Sequence, residues 1–158
     1  MKRNAFTMLE LVFVIVVLGI LAAVAVPKLA ATRDDAQISK GRSDVSAIRS
    51  AIVSERQSRL IRGDSSYISR LDQGVAEDTV GVTIFDDNDS NITNGSLLMY
   101  GVTTKYDNGH WIKDDSDTYI YRVVNTDISF DYNNSNGTFT CNRSAAGDAG
   151  RYCKALID

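Results

Sequence analysis

Few residues of this sequence could carry out chemistry, and they do not form a catalytic pattern. His110 is the one histidine; it follows a turn signal and precedes Trp111, which favours a surface or strand residue over a general base. The sequence has neither a glycine-rich phosphate loop nor a nucleophile elbow. We therefore predict that the protein is not an enzyme.

Two acidic segments, 86–91 and 114–117, offer oxygen ligands of the kind that Ca²⁺ accepts. The weak calcium candidates are Asp87, Asp89, Asp114, Asp115 and Asp117. The first segment begins like an EF-hand loop, but Ile92 and Leu98 stand where that loop needs glycine and glutamate. Ordinary solvated turns explain both segments as well. Calcium is thus the one cofactor that the sequence leaves open.

Two cysteines, Cys141 and Cys153, lie twelve residues apart near the C-terminus. A disulfide is the simplest interpretation; it indicates an oxidising compartment and would stabilise the fold by about 3 kcal/mol. The alternative is a pair of buried free thiols. With one histidine elsewhere, the two thiols cannot complete a zinc site.

Charge is distributed unevenly along the 158 residues, a length that suits one domain plus an anchor. Residues 28–62 hold eight Lys/Arg and four Asp/Glu, whereas residues 64–158 hold seven and fifteen. Because an acidic domain repels phosphate groups, we expect no general nucleic-acid surface.

The N-terminal segment is a candidate membrane anchor. Lys2 and Arg3 precede an apolar run, Phe6–Val26, that as a helix would span about 31 Å, the thickness of a bilayer's hydrocarbon core. Because positive charge stays in the cytoplasm, the N-terminus is predicted inside and the rest of the chain outside. Glu10 interrupts the run, although a carboxylate in lipid costs roughly 2.5–3.5 kcal/mol near a helix centre and less near its end.

A conventional secretory signal is the alternative for this segment. The chain would then be cut after the small-x-small sequence 23–25, and the mature protein would begin at Val26 without an anchor. Glu10 and the length of the apolar run oppose this interpretation. Taken alone, Glu10 could also simply reach the lipid headgroups.

A second helical pattern follows Pro27. Apolar residues recur at spacings of three and four, which places them on one helix face: Ile38, Gly41, Val45, Ile48 and Ile52. The helix is predicted to run to Arg62, with Gly63 as a left-handed C-cap, and Pro27 is predicted only to kink it.

The remaining residues indicate a small antiparallel sheet that covers this helix face. The predicted strands are Val80–Phe85, Leu97–Thr103, Tyr119–Val124, Ile128–Tyr132 and Thr138–Cys141. Turn signals stand at 107–109, 125–126 and 133–137. The predicted core or sheet-face aromatic residues are Trp111, Tyr119, Tyr121 and Phe130.

Residues 1–31 resemble the N-terminal segment of type IV pilins and of the pseudopilins of type II secretion. A short basic leader and a small residue precede Phe-Thr-Met-Leu-Glu and a long apolar helix. In that family a membrane-embedded aspartyl peptidase cuts before the phenylalanine and methylates the new amine. The resemblance implies cutting between Ala5 and Phe6, with Ala5 in place of the more common glycine, and N-methylation of Phe6.

The resemblance also gives Glu10 a role, because it matches the family's glutamate. In an apolar filament core, Glu10 could pair with the ammonium group of Phe6 on a neighbouring subunit. Neither charge tolerates burial alone, so the pair would favour one axial register. Gly19 and Pro27 match the family's recurrent helix-softening positions.

We therefore expect an α+β, pilin-like fold with a leader (1–5), a transmembrane and filament-core helix (6–27), an amphipathic helical stem (28–63) and a head (64–158). The expected function is that of a structural subunit of a pilin-like filament, first of all a pseudopilin of type II secretion. A type IV pilus or competence pilin is the nearest alternative. A membrane-tethered module that binds a cation or a partner is the alternative from another class.

The resemblance further implies partners and a location. The expected partners are copies of the chain and related subunits, the prepilin peptidase, an inner-membrane assembly platform, and lipid before assembly. The expected location is the bacterial inner membrane, with the head in the periplasm, followed by a periplasmic or extracellular filament.

Overall fold

The computed structural model describes residues 6–72, 74–86 and 96–158, and the chain divides into two compact units, Met1–Ala36 and Gln37–Asp158. The elements are α1 (Met8–Ile61), β1 (Thr83–Ile84), β2 (Val102–Thr103), β3 (Trp111–Asp115), β4 (Thr118–Val123), β5 (Thr126–Asn133), β6 (Thr138–Cys141) and α2 (Asp148–Ile157). The α+β, pilin-like fold predicted from the sequence is confirmed.

Helix α1 ends at a glycine cap, as the sequence predicts. Gly63 has a φ of 86°, which is the left-handed conformation that glycine adopts without steric cost. Its amide donates to Leu60 O at 3.0 Å, and the amide of Asp64 donates to Arg59 O at 2.9 Å. These two bonds form a Schellman motif, which satisfies carbonyl groups in the last turn of the helix.

The first unit contains the apolar part of α1. Met8–Val26 is long and apolar enough to cross a membrane, and none of this stretch is buried within the chain. Apolar side chains are exposed on all sides of this helix, and no other part of the described chain buries them. The segment therefore requires lipid or apolar partners from other molecules.

The second unit packs the later part of α1 on a four-stranded antiparallel sheet. The strand order is β3-β4-β5-β6, so each strand pairs with its neighbour in sequence, and β1 and β2 form a separate pair. Four of the five residues predicted for the buried helix face are buried, and Ile38 is half-buried. Strand β5 alternates between buried and exposed residues, as expected for a sheet with one face on the core.

Aromatic side chains fill the core between α1 and the sheet. Trp111 is fully buried and contacts Phe85 edge-on, with ring centroids 5.5 Å apart. Phe130 stacks on Phe139 at 5.1 Å and lies 5.3 Å from Trp111. All four aromatic residues predicted to be in the core or on the sheet are buried.

Two elements were not predicted from the sequence, and two others are shorter than predicted. Strand β3 was not predicted, since its second half, Lys113–Asp115, is charged; Lys113 is nevertheless buried because Asp72 lies beside it. Helix α2 was not predicted either, although Tyr152, Cys153 and Leu156 have the spacing of one helix face and are buried. Strands β1 and β2 are each two residues long and shorter than predicted.

The β4–β5 turn lies one residue before its predicted position. Val124 and Asn125 both have positive φ, 48° and 59°, as in a two-residue type I′ turn. This conformation is strained for a β-branched residue. Two hydrogen bonds hold it in place: the amide of Val124 donates to Gln37 Oε1 of helix α1 at 3.1 Å, and the amide of Asn125 donates to Asn108 Oδ1, between β2 and β3, at 2.8 Å.

The predicted disulfide is present. It joins Cys141 on β6 to Cys153 on α2, with the two Cα atoms 5.9 Å apart. The bond ties the C-terminal helix to the edge strand of the sheet.

Replacing both cysteines by serine is expected to lower the free energy of unfolding by about 3 kcal/mol, because the crosslink restricts the unfolded chain. Since the closed loop is local, hydrogen exchange should accelerate more in α2 than in the buried part of α1. Exchange measured by mass spectrometry on the full chain checks both statements. Free thiols on both cysteines of protein taken from the cell envelope would contradict the bond.

Candidate functional site

A capping box closes the N-terminal end of α1. The carboxylate of Glu10 accepts hydrogen bonds from the amide and the hydroxyl of Thr7, both at 3.1 Å. The Thr7 hydroxyl in turn lies 3.2 Å from the amide of Glu10, which donates to it. Thr-x-x-Glu before an apolar run is the sequence signal of this motif, although the motif was not among the predictions from the sequence.

The capping box changes the physical account of Glu10. Within a single chain, the carboxylate satisfies backbone and hydroxyl donors at the helix start instead of standing alone among apolar residues. Its negative charge also lies at the positive end of the helix dipole. Both atoms that it contacts belong to Thr7, so the motif survives removal of residues 1–5.

The second unit contains a buried charge cluster that sequence reasoning missed. Asp72 is fully buried; its Oδ1 accepts from Lys113 Nζ at 3.0 Å and from the amides of Gly74 and Val75 at 2.7 and 2.9 Å. The hydroxyl of Tyr119 donates to Oδ2. Four donors thus converge on one carboxylate.

These contacts set the protonation state of the cluster. Burial alone would raise the pKa of Asp72, but the hydrogen bonds from Tyr119 and Lys113 outweigh it and hold the pKa below its ordinary value. Burial, together with the bond to Asp72, raises the pKa of Tyr119. The aspartate is therefore ionised and the tyrosine neutral near pH 7, which indicates a structural role.

The calcium candidates are not gathered into a cation site where they are described. Asp114 and Asp115 end β3, and Asp117 lies in the turn to β4. Across residues 6–72, 74–86 and 96–158, no group of three or more metal-binding side chains is assembled. The remaining candidates, Asp87 and Asp89, lie outside the described residues, so calcium binding stays a prediction.

His110, considered above as a general base, lies beside the β2–β3 turn. Its Nδ1 is 3.1 Å from the carbonyl oxygen of Asn108, and its side chain is half-buried. Its neighbour Trp111 donates from Nε1 to Asp44 Oδ2 of α1 at 3.0 Å. The histidine thus contacts the backbone of its own turn, while the tryptophan connects strand β3 to the helix.

The N-terminal segment is also where the chain matches other proteins. Residues 1–26 match the sequence model of the prokaryotic N-terminal methylation motif. The chain carries this motif. The match covers Ala5, Phe6 and Glu10, and it confirms the resemblance to type IV pilins and pseudopilins for this segment.

Three similar proteins are each described as type II secretion system core protein G. The one from Klebsiella michiganensis is 44% identical over 51 residues, which are 32% of this chain and 36% of that protein. The one from Vibrio cholerae is 34% identical over 74 residues, 47% of each chain. The one from Escherichia coli K12 is 39% identical over 51 residues, 32% and 35% of the two chains.

The chain thus spans less than half the length of each of these relatives. No solved structure matches it.

The structure places the motif's residues as follows. Ala5 lies outside the described residues, whereas Phe6 is exposed just before the capping box. A Cβ atom added at Gly19 would meet nothing within 4 Å, so packing inside the chain does not require glycine there. Cleavage, methylation and the pairing of Glu10 with a neighbour's Phe6 remain predictions.

Proposed function

We propose that this chain is a structural, non-enzymatic subunit of a pilin-like filament, specifically a pseudopilin of a type II secretion system. The observation that carries the proposal is the methylation motif at the start of a helix whose apolar stretch, Met8–Val26, is wholly unburied in the chain. A helix with this surface is stable only in lipid or among other apolar helices.

The same surface supports two successive locations. Before assembly, the apolar stretch would lie in the inner membrane, with the second unit on the periplasmic side. During assembly, the apolar stretches of many copies would pack against one another, and these contacts would replace the contacts with lipid. The proposed partners are accordingly copies of this chain, related subunits, the prepilin peptidase and an inner-membrane assembly platform.

Glu10 would determine how neighbouring subunits align when their helices leave lipid and pack together. After cleavage, the amine of Phe6 would be a cation close to the capping box of its own helix. In the filament, the carboxylate of Glu10 could leave Thr7 and pair with that cation on a neighbouring subunit. Because an unpaired charge in an apolar core is costly, only the register that pairs them would be populated.

The relatives favour secretion over a pilus or a competence filament. The three described above are named as secretion core proteins, and they match up to 47% of this chain. The disulfide agrees with a periplasmic second unit, since such bonds persist in oxidising compartments.

Leader processing tests the proposal directly. Intact-mass analysis of protein extracted from membranes is expected to show that residues 1–5 are missing and that Phe6 carries one methyl group. An N-terminus at Val26 would instead show cleavage as a secretory signal and would refute the anchored subunit. Filaments sheared from cells and containing the processed chain would distinguish a filament subunit from a membrane-tethered binding module.

A further inference from the structure

We propose that the outer face of α1 between residues 42 and 56 binds a second copy of this chain, through the acidic β3–β4 turn of that copy. The inference rests on the proposed filament function and adds a specific contact between the second units of two subunits. It is carried by two groups of charged side chains that form no ion pair within the part of the chain the structure describes.

The first group is a row of three arginines on α1. Arg42, Arg49 and Arg56 are seven residues apart, so they lie on one side of the helix at intervals of about 10 Å. Each guanidinium donates to a backbone carbonyl of the same chain, to Ala155 O at 2.6 Å, to Phe139 O at 2.9 Å and to Ser66 O at 2.8 Å, respectively. We call these residues the arginine row.

Carbonyl groups orient the arginine row but do not neutralise it. In the described ranges, none of the three guanidinium groups lies within 4 Å of a carboxylate, whereas Arg59, Arg62, Arg122, Arg143 and Arg151 all do. Burial, and then the positive charge of Arg143, lower the pKa of Arg49. The row is thus a surface of excess positive charge on a folded scaffold.

A shallow groove adjoins the row and has no charged side chain besides Arg49. Its other lining residues are Ser50, Val53, Ser54 and Gln57, and Val53 is 56% exposed. Small side chains allow another backbone to approach the helix closely, which a surface of long charged side chains would prevent. An exposed turn with acidic side chains could therefore approach this face closely and would match its charge.

The second group of charges is on such a turn. Asp114, Asp115 and Asp117 surround the β3–β4 turn, and Asp131 lies next to them on β5, where its Oδ1 accepts from the Thr118 hydroxyl at 2.9 Å. We call these residues the acidic turn. None of the four carboxylates forms an ion pair with a described residue, although Asp44, Asp72, Asp107 and Asp127 each have a cationic partner.

The two groups cannot neutralise each other inside one subunit. Arg49 bonds to β6 at one edge of the sheet, while three of the four aspartates flank the end of β3, the opposite edge strand. A contact between the row of one copy and the turn of the next uses two different surfaces. Such a heterologous contact repeats along a series of subunits and generates a ring or a helical filament.

Crosslinking in the cell envelope tests the contact itself. One full-length copy carries Arg49→Lys together with asparagine in place of all four aspartates of the acidic turn, and a second, wild-type copy supplies the carboxylates. A zero-length carbodiimide crosslinker should then join position 49 of the first copy to Asp114, Asp115 or Asp117 of the second. Because the first copy has no carboxylate in its acidic turn, a link between position 49 and that turn must join two chains, and the first copy with Arg49 restored is the control.

Charge reversal supplies the second test. Arg49→Glu and Asp115→Arg should each reduce sheared filament, relative to processed subunit in the membrane, at least about tenfold, because like charges would face each other. The two together should recover most of the loss. Arg70→Glu and Glu77→Arg change the charge equally at other exposed positions and should have little effect. Asp115 is the exposed last residue of β3, and its Oδ1 accepts from the amide of the next residue, Ser116, so its reversal should cost the fold little.

The outcomes separate this contact from the proposed function. Filaments that form without the crosslink, or a charge-swapped pair as defective as either single variant, would overturn the contact and leave the filament function standing. The crosslink in envelopes that yield no filaments would support the contact and refute the filament. If neither the crosslink nor filaments are found, both the contact and the filament function are refuted.

Discussion

Replacing Glu10 by glutamine is expected to reduce filament assembly by about two orders of magnitude while leaving the helix start intact. Glutamine at this position preserves a capping box with Thr7, so the local structure of α1 should not change. It removes the charge that would neutralise the amine of Phe6, and an unpaired charge in an apolar core costs about 3–5 kcal/mol. The measurement is the ratio of sheared filament to processed subunit in the membrane, in a strain without other copies of the subunit.

Three further variants separate charge from capping. Glu10→Leu removes both and should insert into the membrane more readily, since no carboxylate enters lipid, yet assemble as poorly as Glu10→Gln. Thr7→Val removes the capping hydroxyl but keeps the carboxylate, so its effect should be limited to about 1 kcal/mol of helix stability. Leu11→Ile preserves the apolar surface and should be tolerated.

The comparison of Glu10→Gln with Thr7→Val decides between the two roles. If Glu10→Gln assembles at the wild-type ratio and Thr7→Val does not, the carboxylate acts as a helix cap and the charge-pair mechanism is wrong.

Replacing Asp72 by asparagine is expected to destabilise the second unit by about 3–5 kcal/mol, because the ammonium group of Lys113 would be left buried without its counter-charge. This is a large share of the 5–15 kcal/mol by which small domains are typically stable. Chemical unfolding of the full-length protein in detergent, followed by tryptophan fluorescence, gives the free energy directly because Trp111 lies in the core.

The matched control is the double variant Asp72→Asn with Lys113→Met. Removing both charges should recover part of the loss, since no unpaired ion then remains in the core. If the double variant is less stable than Asp72→Asn alone, the hydrogen bonds rather than the charge pair carry the stability.

Acid should weaken the protein through the same aspartate. The pKa of Asp72 is lower in the folded chain than its unfolded value of about 3.9, so the ionised form stabilises the fold. This contribution is fully present above pH 4 to 5 and is lost as the pH falls through the unfolded value towards the folded one. Wild-type stability should therefore fall below about pH 4, and Asp72→Asn should show a flatter profile.

Features that depend on local patterns could be predicted from the sequence. The buried helix face follows from the spacing of Val45, Ile48 and Ile52, and the cap follows from the ability of Gly63 to adopt positive φ. Strand β6 has the predicted bounds because Thr138–Cys141 alternates between polar and apolar residues after a turn.

Features that depend on distant partners could not be predicted. Strand β3 combines Trp111 with charged residues, and nothing in the local pattern indicates that Asp72 receives Lys113 in the core. The shift of the β4–β5 turn depends on the hydrogen bond from Val124 to Gln37, 87 residues earlier in the chain. Helix α2 is short, and its buried side depends on a disulfide partner on β6.

The features of the candidate site also divide into those that follow from local sequence and those that depend on distant residues. The predictions of cleavage, methylation and a role for Glu10 rest on a motif of consecutive residues, which a sequence displays completely. The capping box is equally local, and the Thr-x-x-Glu spacing was sufficient to predict it. The arginine row shows a seven-residue spacing in the sequence, but its lack of ion pairs becomes visible only once the other ion pairs of the second unit are known.

The order of the strands determines which parts of the chain can fold first. Every pair in the four-stranded sheet joins sequence neighbours, so residues 111–141 can form their hydrogen bonds quickly and without the helix. The aromatic face of that sheet then remains open to water until Ile48 and Ile52 cover it. Because α1 precedes the sheet in the chain, its covering face is already present when the last strand forms. The interval in which the sheet could aggregate is therefore short.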